Sequence, residues 1–114
     1  MKLLPNYKNV YLAVGVTDMR KSFNGLSLLI TENFELDPFS GDLFAFCNRR
    51  RDIIKILYWN KSGFCIWHTR LEKDRFHWPD SEDDVININS KQMSWLLAGL
   101  EIDKAHTRLL YDEI

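Results

Sequence analysis

Between residues 43 and 78 the chain alternates apolar runs with short turn signals, and this rhythm limits the possible folds more than any other feature. The runs span 43–47, 53–59, 63–71 and 75–78. They are rich in β-branched and aromatic residues, which suit a pleated, half-buried surface. The breaks at 48–52, 60–63 and 72–74 are short enough for hairpins, and Gly63 supplies the glycine such loops often need. The pattern predicts an antiparallel meander that Pro79 stops.

Helical spacing brackets the meander. Val10–Val14 reads as a strand. Met19, Phe23, Leu26 and Ile30 then recur on one helical face up to about Glu32, with Thr17 or Asp18 expected as the N-cap. Gly25 inside this helix suggests a close backbone approach. After an acidic loop at 80–84, Val85, Ile86 and Ile88 suggest one more extended piece. Ser90 is expected to cap a second helix with Met93, Leu96, Leu97 and Leu100 on its apolar face. The expected fold class is α+β. It is a curled antiparallel sheet, a meander of about four to five strands, with one helix before it and one or two after it. Residues 1–100 form the single domain and 101–114 a C-terminal tail, helical or partner-binding. The helices are expected to cover one side of the sheet, leaving the other side or an edge to the arginines.

Composition excludes several classes. With 46% apolar and 27% charged residues in 114, the chain has globular proportions. A net charge of −1 excludes a uniformly basic histone-like protein. No apolar run approaches the ~20 residues of a membrane span. Pro5, Asn6 and Lys8 interrupt the start where a signal peptide needs its apolar stretch. A cytoplasmic protein is expected. Cys47 and Cys65 form no C-x-x-C pair and lie on strands that flank a common neighbour, so no disulfide is expected.

Chemistry is sparse. Cys65 and His68 are three apart on one strand, so their side chains point to opposite faces. His68 and His77 have no helical i, i+4 partner and no nearby cluster of ligands, and the acids at 80–84 lack the alternating ligands of a calcium loop. The five glycines are scattered, so there is no phosphate-binding glycine loop. No catalytic residue, metal or cofactor is assigned.

Charge is the informative feature. Residues 49–75 hold eight Lys or Arg against Asp52, Glu72 and Asp74, whereas 80–114 hold three against eight acids. Arg49, Arg50 and Arg51 fall in a projecting turn, where guanidiniums can grip phosphates. Lys55 on the next strand, with Arg20 and Lys21 near a helix start, extends the basic set. These six are the candidate nucleic-acid contacts. Trp59, Trp67 and Trp78 are core residues or partner anchors.

Three blocks stand out together: residues 16–26 (VTDMRKSFNGL), 37–46 (DPFSGDLFAF) and 48–59 (NRRRDIIKILYW). A fourth runs from Arg70 through Lys73 to Phe76–Pro79. In this order they resemble the accessory protein (TnpB, the second reading frame) of bacterial insertion-sequence family sixty-six, over about residues 8–100. Asn24 and Ser22 depart from that family's usual Asp and Gly. The resemblance implies a non-enzymatic accessory factor in transposition of a mobile element, working beside a separate transposase that carries the catalytic carboxylates. The expected partners are that transposase and the DNA of the element ends. The alternative is a protein–protein adaptor with no direct DNA contact.

Overall fold

The segment Leu43–Cys47 is apolar at every position, and every one of its residues is buried. Such an unbroken run belongs to a strand covered on both faces, and this strand lies at the centre of the sheet. The computed structural model describes residue 7 and residues 9–99. Among them the elements are β1 (Val10–Val16), α1 (Phe23–Glu32), β2 (Leu43–Cys47), β3 (Ile53–Asn60), β4 (Gly63–Arg70), β5 (Val85–Ile88) and α2 (Ser90–Leu97). Five strands form one sheet in the order β4-β3-β2-β1-β5. The chain is α+β, as its sequence pattern predicts. β2, β3 and β4 are the antiparallel meander. β1 pairs parallel to β2, because α1 carries the chain across before β2 begins, and β5 closes the other edge antiparallel to β1.

Both faces are covered, not one. On one face Leu26 and Ile30 of α1 bury Ala13, Phe44, Phe46 and Leu57. On the other, Met93 and Leu96 of α2 close over Val10, Leu12, Ala45 and Ile56. The run 75–78 joins this second layer instead of forming a strand. Phe76 is buried there, its N–H donates to the Arg51 carbonyl at 2.7 Å, and the Trp78 indole N–H donates to the Ala13 carbonyl at 2.8 Å. Alternation in sequence therefore marks an extended segment laid over a sheet face, and the fifth strand comes from Val85–Ile88. With both faces covered, the arginines gather at one end of the sheet.

The helix starts differ from expectation for local reasons. Thr17 is buried and its N–H extends the β1–β2 pairing to the Cys47 carbonyl at 2.9 Å. Asp18 accepts the Arg20 N–H at 2.9 Å, closing a turn that competes with helix. α1 therefore begins only at Phe23, after an N-cap at Ser22 whose side chain makes no capping bond. For α2 the N-cap is Asn89, which forms a reciprocal capping box with Gln92, and Ser90 is the first helical residue. Leu100 and the 101–114 tail lie outside the described residues.

At Gly25 the nearest atoms to an added Cβ belong to the Lys21 side chain, Cβ and Cγ at 3.4 Å and Cδ at 3.7 Å, so the close approach is to a flexible side chain. The site is helical and tolerant. Gly25→Ala is expected to raise stability by about 0.5–1 kcal/mol, read as a higher urea midpoint at unchanged m-value.

Candidate nucleic-acid interface

β1 and β2 run parallel, so their carboxyl ends emerge at the same end of the sheet. Ile53, which opens β3, pairs with Arg70, which closes β4, at that end too. The turn 48–52 and the segment 17–22 therefore meet there. Between them lies a groove of about 500 Å3. Val16, Asp18 and Met19 line one wall, and Asn48, Arg49, Arg50 and Ile53 the other.

The 48–52 turn is built by its two polar ends. The Asn48 side-chain oxygen accepts the N–H groups of Asp52 and Ile53 at 3.1 and 3.0 Å, and its amide donates to the Asp52 carboxylate at 2.7 Å. That bond, helped by the charges of Arg50 and Arg70, holds the Asp52 carboxyl below its ordinary value. Arg49 and Arg50 project from the tip, exposed. Neither forms an ion pair or hydrogen bond with a described residue.

Arg51 differs from its neighbours. Its backbone takes the left-handed conformation, φ 60°, which redirects the side chain. Its Nη1 is buried without a hydrogen-bond partner among the described residues. The guanidinium lies beside the Cys47 thiol, where it opposes the burial that pushes that thiol up. The arginine triplet thus divides into two outward residues and one packed inward.

Lys55 is also engaged internally. Its ammonium donates to the Met19 carbonyl at 2.6 Å and sits 3.5 Å from the Lys21 carbonyl. It ties the 17–22 segment down over β3, so its charge serves the backbone. Lys55→Met is expected to lower stability by about 1–3 kcal/mol, because the Met19 carbonyl loses a charged donor. Arg49→Ala is expected to stay within about 0.5 kcal/mol of the parent. Parallel urea titrations check both.

Arg20 wraps around Asp18 through three side-chain hydrogen bonds of 2.7–3.1 Å. These bonds, with the Arg20 N–H, hold the Asp18 carboxyl well below the usual carboxylate range. Both partners face water, at 92% and 44% exposure, so the pair shapes the turn more than it stabilises the fold. Lys21 is exposed beside it. The acidic loop 80–84 lies on the β1–β5 side, where the Val14 N–H donates to the Asp84 carbonyl at 2.9 Å. This end of the sheet is therefore polarised, with bases towards β3 and β4 and acids towards β5.

The three tryptophans separate. Trp67 faces Ile56 across the β3–β4 pair and packs, half-buried, on the α2-side core. Trp78 packs on the same core while bonding Ala13. Trp59 alone joins a partly open aromatic cluster near the β3–β4 turn. It meets Phe39 and Phe64 edge-on at centroid distances of 4.9 and 5.0 Å. Phe23 stacks on Phe64 at 6.5 Å, and Phe23 and Phe39 are 45% and 56% exposed.

Sequence reasoning passed over Val16, Met19 and Ile53 as groove residues, and Phe23 and Phe39 as cluster members. Phe39 carried a signal: an aromatic residue inside a Pro-Phe-Ser-Gly turn has little reason to be there unless it packs on something. Cys47 and Cys65 are free thiols on strands separated by β3. Among the described residues no group of three or more His, Cys, Asp or Glu could hold a metal ion, and no helix is long and apolar enough to cross a membrane.

Residues 8–107 match the family described as IS66 Orf2 like protein. Two relatives come from Sinorhizobium fredii strain NBRC 101917 / NGR234. The uncharacterized protein y4hO is 38% identical over 101 residues, covering 87% of this chain and 88% of its own. The uncharacterized protein y4jC is 32% identical over 92 residues, covering 81% and 79%. No solved structure matches.

Proposed function

Because this chain belongs to the IS66 Orf2-like family, whose role lies in insertion-sequence transposition, we propose that it binds the DNA of its element through the basic end of its sheet. The observation that carries this reading is the pair Arg49 and Arg50, exposed and without an ion pair or hydrogen bond to any described residue, on a turn that Asn48 and Asp52 brace. Cations without an internal partner can release counterions from DNA on contact, which is the main source of sequence-independent affinity. Lys21 and Arg70 are exposed at the same end, and Arg20 joins them when a phosphate competes with Asp18 for its guanidinium. The acidic loop 80–84 sets the direction of approach, since it repels phosphates from the β5 side. In this reading the chain is a non-enzymatic accessory factor, and the chemistry belongs to a separate transposase.

Fluorescence anisotropy with labelled element-end duplex and a scrambled duplex, at two salt concentrations, tests the proposal. Binding that weakens steeply with salt is expected. Tighter binding to the element end adds sequence recognition. No binding to either duplex at low salt refutes it.

A second reading has its own observation. The aromatic cluster of Phe23, Phe39, Trp59 and Phe64 leaves two large rings exposed, which favours a protein contact. An adaptor for the transposase would use that surface, and Phe39→Ser would abolish co-purification with the transposase while leaving DNA affinity unchanged.

A further inference from the structure

Resting on the DNA-binding reading above, we infer that the groove between residues 16–19 and the 48–53 turn receives a single unpaired nucleobase. The shape and lining argue for this together. Phosphates on a duplex are met by cations on a projecting surface, and Arg49 and Arg50 already provide that. A concavity of about 500 Å3 directly beneath them is not needed for backbone contact. Its volume lies within the ~300–1,000 Å3 range of small-molecule sites.

The lining is apolar where a base face would lie. Val16 is 49% exposed, and Met19 and Ile53 are half-buried. An exposed valine on so charged an end of the molecule gains from a flat apolar partner. The polar groups stand at the rim. Asp18 is ionised, and Arg20 fills both of its carboxylate oxygens, the backbone N–H and Nε on Oδ1 and Nε and Nη2 on Oδ2. An oxygen that the Arg20 side chain gives up for a phosphate can take an N–H from the edge of a base. The arginines can hold the phosphates on either side of the extruded nucleotide. Proteins that read a base outside its stack use this combination of apolar contact, edge hydrogen bond and flanking cations.

The test uses the full chain and two duplexes of one sequence. One carries 2-aminopurine as a single-nucleotide bulge, and the other carries it fully paired. The bulged duplex is expected to bind about fivefold tighter or more, with a rise in 2-aminopurine emission on binding. Val16→Gln, neutral and at a half-exposed position, is expected to reduce that preference to under twofold while paired-duplex affinity stays unchanged. Equal affinity for both duplexes with unchanged emission overturns the inference and leaves the DNA-binding reading standing. A bulge preference that survives Val16→Gln overturns the assignment to this groove. Failure to bind either duplex overturns both readings at once.

Discussion

Arg49→Ala with Arg50→Ala is expected to reduce the slope of log K against log salt for duplex DNA by roughly 1.8, since each lost phosphate contact removes about 0.9. Carried to 0.1 M salt, that slope change corresponds to roughly 60-fold weaker binding, shrinking towards no difference near 1 M. The fold should be untouched, because neither side chain bonds to a described residue. Arg51→Ala is expected to behave in the opposite way. Its guanidinium lies against Cys47 with Nη1 buried, so its loss changes stability and leaves the salt slope nearly intact. An equal loss of slope from all three arginines would contradict the division of the triplet.

Phe46→Ala is the second large effect. Phe46 is fully buried on the central strand, in the cluster that holds Leu26 and Ile30 of α1 against the sheet. Truncating a buried phenylalanine costs about 3–5 kcal/mol through lost burial and the cavity left behind. That is a large share of the ~5–15 kcal/mol that stabilises a domain. Urea unfolding should show a much lower midpoint at unchanged m-value. The loss should also propagate to the groove. α1 anchors the segment carrying Met19 and Lys21, whose carbonyls Lys55 holds. A change below about 1 kcal/mol would mean that α1 is not packed as described.

The strands were legible because apolar runs and turn residues agree. Residues 43–47, 53–60 and 63–70 have the boundaries that the sequence pattern predicts to within a residue. The parallel β1–β2 pair was not legible. Strand direction depends on how the connection crosses the sheet; the helix between Val16 and Leu43 permits a parallel crossover, but nothing in its sequence says that β1 and β2 are neighbours. Yet the unbroken LFAFC run of β2 already argued for cover on both faces. Arg75–Trp78 misled for a related reason: Phe76 and Trp78 alternate as in a strand but bury themselves over a sheet face.

At the candidate site, Arg49 and Arg50 were legible as turn residues. Arg51 and Lys55 were not separable from them by sequence, because a left-handed backbone at one position and a carbonyl 36 residues away decide where those charges go. Val16 and Ile53 look like ordinary strand ends, and only the meeting of two chain segments makes them a groove.

The central claim is that DNA meets the end of the sheet where β1 and β2 finish. Its most direct test is an amide chemical-shift titration of the isotopically labelled chain with element-end duplex. Shifts are expected to concentrate at residues 20–21 and 48–53, to spare the β3–β4 turn and the acidic loop, and to fade as salt is raised. Shifts centred instead on Phe39, Trp59 and Phe64, or none at saturating DNA, would contradict the account.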